Sequence, residues 1–171
     1  MSTLEVKELS HPAGQVIKIA SGKTLDLKSQ GTTTLPTGSV LQVIETVSTT
    51  TFTTTNTGLT DTGYSVTITP SSTSSKILLT CMLNMEISGN AGKGMRAVFC
   101  RNTTALNTEN IVYSGSTVGA MHIPNYLQHL DSPNTASAVT YRIYARSHGG
   151  NSQRIAADWG SVRITAMEIQ G

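Results

Sequence analysis

The sequence has few charged residues, few aromatic residues and no long apolar run. Of its 171 residues, 13% are charged and 5% are aromatic. A membrane-spanning helix needs about 20 consecutive apolar residues, and no stretch of that kind is present, so we expect no membrane insertion. The N-terminal stretch MSTLEVKELSH mixes charges and lacks the apolar core of a secretion signal. We therefore expect a protein that stays in the compartment where it is made until assembly or lysis.

Basic residues are also few, and they are dispersed. Twelve Lys and Arg stand against ten Asp and Glu, which gives a formal net charge of +2. Nucleic-acid binding depends on clustered cations that neutralise phosphates, and the sequence contains no basic run. No nucleic-acid partner is expected.

Cysteine is scarce, with only Cys81 and Cys100, and each lies in a separate strand-like run. Disulfide frameworks belong to secreted chains with more cysteines at regular spacings. The sequence therefore favours two free, buried thiols.

Threonine and serine are abundant, and apolar residues alternate with polar ones, as in strands with one buried face. The clearest alternation runs from Lys76 to Ser88 and predicts one long strand. Its buried face is expected to contain Ile77, Leu79, Cys81, Leu83, Met85 and Ile87.

Similar but shorter patterns, separated by turn residues and without any helix of length, predict an all-β sandwich or jelly roll.

The glycine-rich segment at residues 89–94 is expected to join the long strand to its partner as a hairpin loop, and a second hairpin is expected at residues 148–151. Met167 and Ile169 lie on the opposite parity to Val162 and Ile164, so both faces of the last strand are expected to be covered. The predicted strands are Val40–Ile44, Tyr64–Ile68, Arg96–Cys100, Ile111–Tyr113, Val118–Ile123, Tyr126–Leu130, Ala138–Ser147, Arg154–Ala156 and Val162–Ile169.

The N-terminal part is organised differently. Residues 1–15 are predicted to form an extended arm that docks onto another protein, and two short apolar runs follow, on either side of the turn Ala20–Lys23. Such a short hairpin cannot bury an apolar face alone, so we expect a copy of the same chain to cover this shaft-like stretch. Pro36, which cannot donate to a strand ladder, and Gly38 mark a boundary between an arm and shaft at 1–37 and a head domain at 38–171. The expected shaft contacts are Ile17, Ile19, Leu25 and Leu27.

No catalytic or metal-binding motif is evident, so a non-enzymatic protein without a cofactor is expected. The acids are dispersed, whereas glycoside cleavage needs two carboxylates about 5–10 Å apart. A polysaccharide depolymerase that brings Asp131 and Asp158 close to a neighbouring copy's acids is the least favoured alternative. The four histidines are scattered singly, and the segment 89–94 lacks the spacing of a phosphate-binding loop.

Three residues are candidate receptor or interface contacts. Trp159 lies between Asp158 and Gly160, and a Trp in a turn can stack on a sugar ring or anchor an interface. Packing at the edge of the head is an equally good interpretation of Trp159, and the same two interpretations apply to Tyr126. His122 is the third candidate, whereas Tyr141 is expected in the core.

Several segments resemble a family of small bacteriophage virion proteins that are tail-fibre-like and frequent in marine and cyanobacterial phages. The segment Ala20–Leu27 is similar to the short β repeats of phage fibre shafts. The others lie mostly at turns and strand ends: Leu35–Val43, Ile68–Leu78, Arg101–Leu106, Leu130–Thr135, Ala138–Tyr141 and Ile164–Ile169.

This resemblance implies a homotrimer with a jelly-roll head, assembled in the host bacterial cytoplasm and located in the virion. The arm would bind other virion proteins, and the head would mediate host attachment through a surface glycan. A capsid decoration, cement or head-fibre protein without receptor binding is the main alternative.

Overall fold

The computed structural model describes residues 21–23, 35–89, 91–107, 109–114, 118–155 and 160–171. The predicted shaft residues Ile17, Ile19, Leu25 and Leu27 and the candidate contact Trp159 lie outside these residues. The residues from Leu35 to Gly171 belong to one compact unit.

The described chain consists of β-strands joined by turns and loops, and it contains no helix. Every strand pairing is antiparallel, and the strands form two sheets. The predicted all-β sandwich class is therefore confirmed. The strands are β1 (Val40–Ser48), β2 (Phe52–Thr54), β3 (Thr60–Ile68), β4 (Lys76–Gly89), β5 (Gly94–Arg101), β6 (Thr104–Ala105), β7 (Asn110–Tyr113), β8 (Val118–Asp131), β9 (Val139–His148), β10 (Gln153–Ile155) and β11 (Val162–Ile169).

The 14-residue strand β4 is the centre of the first sheet, sheet A. Strand β8 pairs with β4 from Ile77 to Gly89 along one side. On the other side, β11 pairs with β4 up to Met82, and β10 pairs with it at Met85 and Glu86. Strand β1 then extends the sheet beyond β11, and β2 extends it beyond β10.

The second sheet, sheet B, has the order β3-β9-β5, with β7 and β6 both paired to the far side of β5. Strand β9 pairs with β5 along the full length of β5, from Gly94 to Arg101. The inner faces of both sheets meet in one apolar core, as two layers of secondary structure require.

The core contains the residues that the alternation in β4 predicts. All six predicted side chains from Ile77 to Ile87 are buried, and Tyr141 is fully buried, as expected. Cys81 and Cys100 are free, buried thiols, which confirms that expectation too.

The two predicted hairpins are wrong. Strands β4 and β5 lie in different sheets, so the connection between Gly89 and Gly94 crosses the sandwich. The connection from β9 to β10 also passes from sheet B to sheet A. Turn residues indicate where the chain reverses, but the pairing depends on which distant strands offer a matching length and apolar face. For β4 and β5 those strands are β8 and β9.

The two short strands predicted around Pro124 are one continuous strand, β8. Pro124 lies opposite Asn84 in the register with β4. Proline has no N–H to donate, and it is tolerated in edge strands, where one side of the backbone needs no partner. Among the described strands, β8 pairs with β4 alone, so proline does not interrupt it.

Glu168 and Asp131 lie on the inner face at one end of sheet A, on either side of Ile77 in the register. Glu168 is 1% exposed, and its carboxylate accepts hydrogen bonds from the Ser71 backbone N–H (2.7 Å), the Ser71 and Ser75 hydroxyls (both 2.6 Å) and Gln42 Nε2 (2.6 Å). Burial alone would raise the pKa of Glu168, but these hydrogen bonds outweigh burial and lower it. The carboxylate thus fastens the β3–β4 loop to the last strand.

Asp131 makes the corresponding contact on the other side of Ile77. Its carboxylate accepts hydrogen bonds from Arg101 Nη1 at 2.9 Å and from the Tyr141 hydroxyl at 2.8 Å. Burial, reinforced by the hydrogen bond to Asp131, raises the pKa of Tyr141. Because Tyr141 and Arg101 belong to sheet B and Asp131 to sheet A, this contact joins the two sheets.

Candidate functional site

The outer face of sheet A presents apolar side chains in cross-strand rows. We call two of these rows, which are four residues apart along β4, the apolar rows. They contain five of the nine exposed large hydrophobic residues of the described chain, which shows that the exposed apolar surface is concentrated on this face. The first row is Val43, Met167, Leu78 and Leu130, and the second is Val47, Arg163, Met82 and Tyr126.

Four hydrophobic residues in the two rows are more than half exposed. Val43 and Leu130 are 57% and 51% exposed at the two ends of the first row, and Met82 and Tyr126 are 55% and 54% exposed in the second. With strands about 4.8 Å apart and residues about 3.3 Å apart, the four-strand face along Lys76–Met82, where β4 pairs with β11, measures about 440 Å². This area is about half of the roughly 800 Å² that each partner contributes to a stable protein interface.

A polar row lies between the two apolar rows and consists of Glu45, Thr165, Thr80 and Gln128. Glu45 also accepts a hydrogen bond from Arg163 Nη1 at 3.0 Å. The face therefore combines apolar surface with an ion pair that is already formed, a composition typical of protein–protein interfaces.

The outer face of sheet B is different, because polar and charged side chains occupy most of it. Thr67 and Thr140 share a hydrogen bond of 2.9 Å, and Arg142 Nη1 donates to Asp61 Oδ2 at 2.9 Å. Polar groups therefore cover more of this outer face than of the outer face of sheet A.

The structure places the candidates His122 and Tyr126 on the same strand, β8, and on the same outer face of sheet A. His122 lies opposite Glu86, with 4.0 Å between its Nδ1 and Glu86 Oε2, and Arg154 Nη2 approaches the same carboxylate oxygen at 2.9 Å. No group of three or more His, Cys, Asp or Glu that could hold a metal ion is found among the residues that the structure describes.

A second cluster, which the sequence patterns do not reveal, lies on the outer face of sheet B. We call it the basic cluster. It occupies two adjacent cross-strand rows and the loops beside them, and only the register of β5, β7 and β9 brings its members together. Its members are Lys93, Arg96, Glu109, Tyr113, Arg146 and His148.

The cluster is linked by polar contacts. Arg146 Nε donates to Glu109 Oε2 at 2.8 Å, and Arg96 Nη1 lies 3.7 Å from the same oxygen. Arg96 Nη2 donates to the Tyr113 hydroxyl at 3.3 Å, and that hydroxyl lies 3.3 Å from His148 Nε2.

Gly94 lies between Tyr113 and His148 in the register, and the two rings meet edge to face with their centroids 4.8 Å apart. A Cβ at Gly94 would collide with the backbone carbonyl oxygen of Val112 and would lie 3.1 Å from Tyr113 Cδ1. The missing side chain thus makes room for the backbone of β7 and for the Tyr113 ring beside it.

A small open cleft lies between β1, β3 and β11, with the Tyr64 ring and the side chains of Thr46 and Ser48 among its walls. Its volume is about 210 Å³, below the roughly 300–1,000 Å³ of typical small-molecule sites. The apolar rows and the basic cluster are larger surfaces, and they are the candidate sites that we consider further.

No protein-family model matches the chain, and no curated protein matches it. None of the described segments is a helix long and apolar enough to cross a membrane. The resemblance to phage virion proteins stays a prediction that rests on the residues named above.

Proposed function

We propose that this protein is a homotrimeric virion structural protein of a bacteriophage, a tail-fibre-like surface appendage that mediates assembly and host attachment. The observation that carries the proposal is the outer face of sheet A, where two apolar rows are exposed on an otherwise well-packed sandwich. Exposed apolar surface of this extent often marks an interaction site, and it supports a partner that covers this face.

Strand pairing supports a jelly-roll head. Of the eight longer strands, the first four pair with the last four in reverse order: β1 with β11, β3 with β9, β4 with β8 and β5 with β7. Successive pairs alternate between sheet A and sheet B. A long antiparallel ribbon that wraps around one core has this arrangement, and a jelly roll is such a ribbon.

The partner that we propose for the apolar rows is a second copy of the same chain. Charges of both signs occur on this face, and Glu45 already pairs with Arg163. Identical copies would therefore meet without a large repulsion between like charges. Association around an axis would also protect the long edges of β1 and β8, each of which pairs with a single strand within the described residues.

The proposed mechanism is binding, without a catalytic step. Of the two acidic residues named for a depolymerase, Asp131 is buried and its carboxylate accepts hydrogen bonds from Arg101 and Tyr141, whereas Asp158 lies outside the residues that the structure describes. A glycosidase needs a carboxylate that can reach the scissile bond. Incubation with host envelope polysaccharide should release no oligosaccharide, and release would contradict this part of the proposal.

The location can be tested by electron microscopy of purified particles labelled with antibody against the recombinant protein. We expect label at the tail, together with loss of adsorption when the protein is missing from the particle. Label on the capsid, with normal adsorption and heat-sensitive particles, would instead establish the decoration protein described above.

A further inference from the structure

The basic cluster carries more positive charge than its own acid can neutralise. Lys93, Arg96 and Arg146 contribute three cations, whereas Glu109 is its single carboxylate. Arg146 is well satisfied, because its Nε donates to Glu109 at 2.8 Å and its Nη1 donates to the Thr57 carbonyl at 3.1 Å.

The N–H groups of Arg96 have weaker hydrogen-bond partners than those of Arg146. A guanidinium has five N–H donors, yet among the described residues Arg96 makes one long hydrogen bond of 3.3 Å, to Tyr113, and its nearest carboxylate oxygen is 3.7 Å away. Its buried Nε has no hydrogen-bond partner in the part of the chain that the structure describes. An anion that reached Arg96 would supply the short, charge-assisted bonds that the protein itself does not provide.

Tyr113 adds an apolar surface beside this guanidinium. It is 44% exposed, and its edge-to-face contact with His148 together with its hydroxyl contacts fixes the ring in place. An exposed, immobilised aromatic ring can stack on the apolar face of a pyranose while neighbouring polar groups bind its substituents.

We propose that the basic cluster binds an acidic saccharide, with Arg96 holding the sugar carboxylate and Tyr113 stacking on the ring. This assignment names the ligand class for host attachment and so rests on the proposed function. It also agrees with the proposed orientation of the head: if the apolar rows of sheet A pack against other copies, the outer face of sheet B points to the exterior.

A nucleic acid fits the cluster less well. Its backbone is bound by a track of several cations along successive phosphates, whereas the described cluster is compact and contains Glu109 at its centre. Arg142, further along the same face, is already paired with Asp61.

The experiment is a calorimetric titration of the full chain with oligogalacturonate, with oligosialic acid, and with the methyl ester of the first as a neutral control. We expect binding of at least one acidic oligosaccharide and none of the ester. Arg96→Gln should weaken binding by about tenfold or more, because a charge-assisted contact is lost. Tyr113→Ala should weaken it similarly, and Tyr113→Phe, which keeps the ring, should retain most of it.

Arg142→Gln is the matched control, since Arg142 lies on the same face but outside the basic cluster and already forms a short ion pair of 2.9 Å with Asp61, and we expect binding to be unchanged. If Arg96→Gln does not fold, Tyr113→Ala, a change at an exposed position, provides the decisive comparison. The assignment would be overturned if the ester bound as tightly as the acid, or if the Tyr113→Ala variant bound as tightly as the unchanged protein. It would also be overturned if inorganic sulfate displaced the oligosaccharide at an equal concentration, or if neither acidic oligosaccharide bound.

The oligomeric state of the same samples separates this inference from the proposed function. A trimer without acid-specific binding would refute the saccharide site and leave the assembly proposal in place. A monomer that binds the acidic oligosaccharide would support the saccharide site and refute the proposed trimer.

Discussion

Met82 on β4 and Tyr126 on β8 lie directly opposite each other in the register of sheet A, and more than half of each side chain is exposed. Opposed side chains on one sheet face usually shield one another. Here the pair forms the end of an apolar row that continues to Val47 across the sheet. Such a pair gains most from being covered by a further layer, and we propose that another copy of the chain provides it.

Removing apolar surface from this face should weaken association without unfolding the chain. Leu130→Ser in the first apolar row removes a side chain that contributes about 2 kcal/mol to the free energy of association when it becomes buried. On dilution, the oligomer of this variant should therefore begin to dissociate at a clearly higher protein concentration than the oligomer of the unchanged protein. Sedimentation velocity over a dilution series measures this. Leu59→Ser is the control, because Leu59 is also exposed, at 38%, but lies outside the apolar rows. Equal effects of the two changes would contradict our assignment of the interface.

Stability should depend on the charge of Glu168. Its pKa is lowered in the folded chain, so the carboxylate stabilises the fold above the unfolded pKa, and this stabilisation is lost as the pH falls through the folded value. Glu168→Gln should lower the free energy of unfolding at pH 7 by about 2–4 kcal/mol, since the donors around it lose a charged acceptor.

Chemical denaturation at several pH values tests the Glu168 prediction. The difference in stability between the unchanged chain and the variant should shrink as the pH falls below the ordinary value of 4.5. If the difference in stability stayed constant down to pH 3, the charge of the Glu168 carboxylate would not be the cause of that difference.

The contact between the Tyr141 hydroxyl and Asp131 should also contribute to stability. Tyr141→Phe keeps the buried ring but removes a hydrogen bond to a buried carboxylate, so the free energy of unfolding should fall by about 1–3 kcal/mol. Tyr126→Phe provides the comparison at an exposed position, where we expect no measurable change. Denaturant unfolding of the two variants gives both values, and similar losses would argue against a special role for Asp131.

Both thiols should be inert in the folded protein. Burial raises the pKa of Cys81 to about 12, and burial together with the neighbouring Asp61 raises that of Cys100. Because the thiolate is the reactive form, a thiol reagent at pH 8 should label neither residue until denaturant is added, after which both should react. Mass spectrometry of the labelled chain counts them, and rapid labelling of the folded protein would be inconsistent with this packing.

Alternation along the chain was sufficient to predict the core face of β4, because every second residue from Ile77 to Ile87 is apolar and a strand has a period of two. It could not predict the pairing of β4 with β8, since a glycine-rich loop looks the same in a hairpin and in a connection between sheets. The continuous strand through Pro124 was missed for a related reason: only the sheet order shows that proline lies at an edge.

The candidate sites were harder still to predict. Leu78 and Met82 alternate with Thr80 and Asn84, so the sequence of β4 alone reads as an ordinary solvent-facing side. The apolar rows emerge only when the register places residues of β1, β8 and β11 beside them. In the same way, Arg96 and Tyr113 are 17 residues apart and meet only through the pairing of β5 with β7.

The most direct test of the account is the molar mass of the full chain in solution, measured by light scattering at micromolar concentration. The chain has a mass of 18.1 kDa, and a homotrimer would have about 54 kDa. We predict the trimer mass, with a shift to lower mass for Leu130→Ser. A stable monomer of the unchanged chain would contradict the proposed trimer and leave the apolar rows of sheet A without the partner that we assign to them.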